Sequence, residues 1–125
     1  MKQGHIASKE RMLTYKEGKV PADGKWHDIL AGLTGCHAYE IMAYSGVEGK
    51  GKYALMHAIA ISTFGKSKSK ISKTCAHYGF WWNKINLRWV GETKNFGLQI
   101  KTMSNYGDGN EIYFRISTLW DSTIM

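Results

Sequence analysis

The chain has little proline, little cysteine and little arginine, and no long apolar segment. Of its 125 residues one is Pro, against 14 Gly. With aromatic residues at 13%, that balance favours strands, because glycine supplies turns and aromatic rings suit pleated surfaces. Two cysteines, Cys36 and Cys75, are too few for a disulfide framework; they fit one bridge or two buried thiols. Three arginines, Arg11, Arg88 and Arg115, stand against fourteen lysines. Bidentate recognition of phosphates or bases favours arginine, so the lysine excess fits solubility and diffuse attraction to anionic surfaces at least as well. The longest uncharged run is far too short to cross a bilayer, and no membrane insertion is expected. The opening MKQGHIASKERM lacks the apolar segment of a signal peptide, and the compartment stays open. There is no internal repeat, and nothing from Trp26 onward sustains a capped helical period.

What is present is an ordinary globular balance, 22% charged and 43% hydrophobic, at a length that suits one core. The formal charge is +7, and five Trp is a high count for this length. The most apolar stretch is Tyr53–Phe64, YALMHAIAISTF, with no charge, Gly or Pro. Tyr53, Leu55, His57, Ile59, Ile61 and Thr63 alternate with Ala54, Met56, Ala58, Ala60, Ser62 and Phe64. Both sets are mostly apolar, which predicts a strand covered on both faces. The small second set invites close approach by another layer or another chain.

Around this run the turn signals divide the chain regularly. Residues 1–22 are polar and read as an arm; residues 23–125 read as one β domain. Trp26–Leu30 is a first strand with Trp26, Asp28 and Leu30 on one side. Cys36–Ser45 puts Tyr39, Ile41 and Ala43 on one face and joins the central run as an antiparallel hairpin through Gly46–Lys52. Gly65–Lys70 is a Lys/Ser loop. The chain is strand-like again from Ile71 through Tyr78 and Phe80 to Trp82. Ile85, Leu87 and Trp89 share a face, as do Phe96, Leu98, Ile100 and Thr102. The last strand is Glu111–Trp120, with Ile112, Phe114, Ile116, Thr118 and Trp120 inward. About seven to eight strands at this spacing predict an all-β antiparallel sandwich, of jelly-roll type.

Several stretches together resemble a known architecture. They are Asp23-Gly24-Lys25-Trp26-His27-Asp28, Gly51–Ala58, Leu98–Thr102 followed by Ser104–Gly107, and the terminal Ile116-Ser117-Thr118-Leu119-Trp120. Over about residues 23–121 the chain is similar to the C-terminal β head domain of bacterial and prophage fibre-type or adhesin-like proteins. The resemblance implies a homotrimeric β head at a fibre tip that contacts a receptor or glycan, with an extracellular or fibre-associated setting. No shaft repeat is present in the sequence.

Reactive constellations are weak. Gly46–Lys52, GVEGKGK, has the spacing of a phosphate loop, but Tyr53 stands where a small hydroxyl must hold Mg²⁺, so a hairpin loop is the better reading. Cys36, Cys75 and His77, with His37 or Asp28, lack paired metal-ligand spacing, and buried thiols or a disulfide are preferred over Zn²⁺. Asp108, Asn110 and Glu111 sit in a hairpin turn that needs no ion. Cys36 or Cys75 with His57 and Asp28 permits a drawn triad without a nucleophile motif. His57 is expected to be a core or interface residue with a hydrogen-bond partner. The carboxylates available for a hydrolase are Asp28, Glu40, Asp108 and Glu111. The expectation is no catalytic residue, no metal and no cofactor.

The aromatic group Tyr78, Phe80, Trp81, Trp82, Trp89 and Tyr106 carries the most chemistry. If Tyr78 and Phe80 alternate inward, Trp82 follows them and Trp81 faces out. Trp81 and Tyr106, with Asn83, Lys84, Asn105 and Asp108, then form a stacking platform with polar neighbours, suited to a glycan; a subunit interface is the equal alternative for Trp81. The favoured function is non-catalytic recognition of a cell-surface ligand, a glycan first, by an oligomer. One alternative is a structural assembly or capping module. Another is a basic domain that binds nucleic acid or an anionic polymer through Lys66, Lys68, Lys70 and Lys73. Nucleic acid is disfavoured as a partner because that loop has no interleaved aromatics.

Overall fold

The computed structural model describes residues 15–65, 68–79 and 84–122. Among these residues there are eight strands and no α-helix. The strands are β1 (Tyr15–Pro21), β2 (His27–Leu33), β3 (Cys36–Val47), β4 (Lys52–Thr63), β5 (Ser69–Tyr78), β6 (Ile85–Glu92), β7 (Asn95–Thr102) and β8 (Glu111–Asp121). They form two antiparallel sheets, β1-β8-β3-β4-β5 and β2-β7-β6. The inner faces share one apolar core, in which Ile41, Met56, Leu98, Ile100 and Ile112 are fully buried. The chain is therefore an all-β antiparallel sandwich, as its alternation predicts. The jelly-roll path expected within that class is not shown: β3, β4 and β5 stay in one sheet as a meander.

The central run forms most of β4, in unbroken register with β3 from Val47↔Lys52 to Cys36↔Thr63. Its small-residue set, Ala54, Met56, Ala58, Ala60 and Ser62, is buried. The other set faces solvent, with Leu55 47% and Ile61 46% exposed. Coverage of both faces, expected from the sequence, is thus absent within the protomer. The small side chains let β6 of the second sheet approach β4 closely, so that face serves the chain's own core.

Residues 15–21, read from the sequence as part of the arm, lie along β8 from Tyr15↔Ser117 to Pro21↔Glu111. Pro21 closes an edge strand, where a missing N–H costs no ladder bond. Residues 1–14 fall outside the described residues.

Irregularities account for most departures from simple alternation. In β2 the register shifts between Asp28↔Gln99 and Leu30↔Leu98. The extra residue is Ile29, which turns into the core at 2% exposure while Asp28 faces out. Leu30 packs against the core, so the shared face expected for Trp26, Asp28 and Leu30 does not form. Gly97 makes the bulge possible: a Cβ there would meet the Leu30 carbonyl oxygen at 2.2 Å. In β8 a register shift opposite Ala38 and Tyr39 brings Trp120 outward to 48% exposure, against its expected inward position. In β5 the pairing of Met56 with Cys75 and of Tyr53 with Tyr78 fixes the faces. Tyr78 is outward and 66% exposed. The inward alternation of Tyr78 that oriented Trp81 is therefore overturned. Cys36 and Cys75 are unbridged and partly exposed.

Candidate functional site

One end of the sandwich gathers three of the six expected contact residues, Asn105, Tyr106 and Asp108. Asp23 bridges to Asn105, the Gly24 N–H donates to Thr102 Oγ1 at 3.3 Å, and the Met103 N–H donates to the Lys84 carbonyl at 2.8 Å. The Thr102–Asn105 segment so ties the entry to β2 and the start of β6 to the 105–110 turn. Gly107 and Gly109 have positive φ there, as a tight turn requires. Asn105 Oδ1 accepts from the Gly107 N–H, and Asn110 Nδ2 donates to the Tyr106 carbonyl, both at 2.8 Å. Asp108 is exposed at the tip, beside an open cleft of about 390 Å³ that Lys50, Lys52 and Asn105 also line.

Tyr106 is not a surface platform. It is 3% exposed, its N–H donates to the Ala22 carbonyl, and the Lys52 ammonium lies 5.5 Å from its ring centre. Burial pushes its phenol pKa up to about 12, and its hydroxyl has no hydrogen-bond partner among the described residues. Lys84 is half-buried and lines a different cleft, of about 410 Å³, with Lys73, Cys75, Asn86 and Met103. Trp81 and Asn83 lie outside the described residues, as do Lys66 and Ser67 of the basic loop.

The drawn set of a cysteine with His57 and Asp28 is not assembled. His57 is on the outward face of the five-stranded sheet, where its Nε2 is 2.7 Å from Glu40 Oε2. It has the expected partner but is not a core residue. Asp28 is on the outward face of the other sheet, where its Oδ1 accepts from Gln99. Glu111 pairs with Lys19 at 3.4 Å. Among the described residues no three His, Cys, Asp or Glu gather in a metal-holding group. Residues 48–51 turn the β3–β4 hairpin, with Gly46 and Val47 in one strand and Lys52 in the other, so the stretch is a hairpin connection as the Tyr53 objection to a phosphate loop implies.

Two surfaces escaped the sequence reading. The first is the outward face of the five-stranded sheet. Lys19, Tyr113, Tyr44, Leu55 and Ala76 stand in one register row across all five strands. Tyr44, Leu55 and Tyr113 are each about half exposed and, with Met42 and Arg115, line a shallow depression of about 480 Å³. On this face Glu17 pairs with Arg115, Lys19 with Glu111 and His57 with Glu40.

The second is the outward face of the three-stranded sheet. Arg88 Nε donates to Gln99 Oε1 at 2.9 Å, and Gln99 Nε2 donates to Asp28 Oδ1 at 2.8 Å, a ladder across β6, β7 and β2. Trp26 lies over its basic end, its ring centre 4.3 Å from the Arg88 guanidinium carbon and 5.0 Å from the Lys101 ammonium. Beside it the hydrogen bond from His27 holds the Asp23 carboxyl below its usual range. The signal was in the sequence: Gln99 and Lys101 alternate against the core positions of β7, and Arg88 does so in β6.

No family model matches the chain, and no curated protein matches it. Solved structures do. The fold is shared with a domain of a phage tailspike. The tailspike protein gp49 of Acinetobacter baumannii bacteriophage Fri1, a capsular polysaccharide depolymerase, matches over 83% of this chain with a TM-score of 0.53 and 10% identity. The tailspike of Acinetobacter phage vB_ApiP_P1 matches over 86% at TM-score 0.48 and 12% identity. That of Acinetobacter baumannii phage AM24 matches over 87% at 0.41 and 7%. The chain spans 17%, 21% and 26% of those three chains, respectively.

Proposed function

We propose that this chain is a non-catalytic recognition head of a phage fibre or tailspike, binding a surface glycan as a homotrimer. The observation that carries the reading is the fold shared with gp49, a capsular polysaccharide depolymerase of which the matching part is a minor share. A piece of that size in a polysaccharide-directed protein suits binding or assembly. Asp28 and Glu40 lie on the outward faces of opposite sheets and Glu111 is engaged by Lys19, which supports binding over cleavage, since glycoside hydrolysis needs two carboxylates facing each other across one bond. The apolar outward face of the five-stranded sheet supports oligomerisation, because patches of this kind mark protein contacts.

A glycan array run at low and raised salt tests the reading. Salt-insensitive retention of particular glycans is expected. A blank array overturns glycan recognition, and the exposed apolar face then favours the assembly or capping module. Light scattering that finds a monomer at micromolar concentration overturns the trimer. Affinity for an oligonucleotide that falls steeply with salt would turn the reading toward nucleic acid.

A further inference from the structure

The outward face of the three-stranded sheet holds two cations that no described carboxylate pairs with. Arg88 and Lys101 project from neighbouring strands, β6 and β7, and converge on the indole of Trp26. Neither forms an ion pair with a carboxylate among the described residues. Attraction to the ring holds each of them only modestly at a solvent-accessible site. An anion placed between them would offset their mutual repulsion.

The guanidinium is also aimed. Its Nε is committed to Gln99, and Gln99 is in turn held by Asp28. The ladder fixes the plane of the group. The two terminal nitrogens make no hydrogen bond to a described residue, and Arg88 is exposed. Two parallel N–H donors at an open surface match the two oxygens of a carboxylate. At the other end of the ladder, Asp28 Oδ2 has no partner among the described residues and offers an acceptor for a hydroxyl.

We propose that Trp26, Arg88, Lys101, Gln99 and Asp28 form a subsite for an acidic saccharide. A sugar carboxylate takes the Arg88 fork and the Lys101 ammonium, and a neighbouring hydroxyl donates to Asp28. This rests on the glycan reading above and gives it a ligand class and a place. The alternating donors and acceptors favour sugar over nucleic acid. A DNA strand presents phosphates to Asp28, which repels them, and its bases find the indole already occupied by two side chains.

The test is calorimetric titration of the full chain with trigalacturonate and with a hyaluronan tetrasaccharide. The methyl esters of both and decathymidylate serve as controls. The Trp26 indole N–H signal is followed in parallel and assigned with Trp26→Phe. At least one acidic oligosaccharide is expected to bind and to shift that signal. Its methyl ester should bind about tenfold or more weakly, since a charge-assisted bidentate contact is lost. Arg88→Gln and Lys101→Gln should each weaken binding by a similar factor. Arg88→Lys, which keeps the charge and loses the fork, should fall between. The proposal is overturned if neither acidic oligosaccharide shifts the Trp26 signal at millimolar concentration. It is also overturned if Arg88→Gln binds as the natural chain does, or if decathymidylate binds more tightly than both. An array glycan still bound by Arg88→Gln would sink this subsite and leave the recognition head standing; an empty array would sink both.

Discussion

Tyr39 and Tyr106 are both buried, and burial holds each phenol pKa up at about 12, in Tyr39 with a further push from Asp121. Their hydroxyls differ in one respect. The Tyr39 hydroxyl donates to His37 Nδ1 at 3.1 Å, while His37 Nε2–H donates to the Thr34 carbonyl at 2.7 Å. The Tyr106 hydroxyl is unpartnered among the described residues. Removing a paired hydroxyl strands its partner; removing an unpaired one strands nothing. Tyr39→Phe should therefore lower unfolding free energy by about 1–2 kcal/mol, and Tyr106→Phe should leave it unchanged or raise it by about 1 kcal/mol. Urea denaturation of the two variants checks this, and equal losses would contradict it. The raised pKa values also set an alkaline limit. In the unfolded chain these phenols ionise near pH 10, whereas in the fold they keep their protons to about pH 12. Their contribution is complete below pH 10 and lost as pH rises through that window. The Tyr106→Phe chain should lose less stability there than the natural one.

At the scale of the element, the sheets show what the sequence could and could not tell. Apart from β1, which read as an arm, the strands followed from period-two alternation, and the core faces of β3, β6 and β7 were legible residue by residue, because the β3–β4 and β6–β7 ladders run without a shift and the extra residues fall on the partner strands β2 and β8. Faces failed where a register shifts. Ile29 is buried and Trp120 exposed because a bulge adds one residue on one strand, which alternation alone does not reveal. The face of β5 failed for a different reason: at a sheet edge, Tyr78 meets no opposing layer that would penalise its exposure. The candidate site was legible only as a set of turn residues. The 105–110 turn was found from its Gly, Asp and Asn, while the Arg88–Gln99–Asp28 ladder needs the pairing of three strands that are distant in sequence. Gly97 makes the point testable. It reads as an ordinary outward residue, yet it is buried beneath the Leu30 carbonyl. Gly97→Ala must push β2 away or flatten its bulge, and should cost on the order of 3 kcal/mol. Thermal melting that shows an unchanged midpoint would mean β2 is free to move.

For the whole molecule the formal charge is +7, and among the described residues the two outer faces differ. The outward face of the five-stranded sheet carries three ion pairs and exposes Met42, Tyr44, Leu55, Ile61 and Tyr113, while the opposite outer face leaves Arg88 and Lys101 without carboxylate partners among the described residues. The two faces divide the labour that the proposed function requires. In the proposed assembly copies of the chain would meet through the apolar face, and the basic faces would then point away from the contact. Such an arrangement would keep like charges apart and multiply weak saccharide contacts by avidity. Leu55 sits between Tyr44 and Ala76 in its register row, 47% exposed and on the face turned away from the core. Leu55→Glu would place an unpaired carboxylate within the proposed contact, a cost on the order of 3 kcal/mol per copy and more than a hundredfold in association. In the isolated protomer the same change is nearly neutral, since the side chain faces water. Sedimentation should show Leu55→Glu as a monomer with intact near-ultraviolet dichroism, and its affinity for a multivalent glycan surface should fall further than its affinity for a short soluble one. If the variant assembles as the natural chain does, the copies meet elsewhere, and the apolar face belongs to another partner.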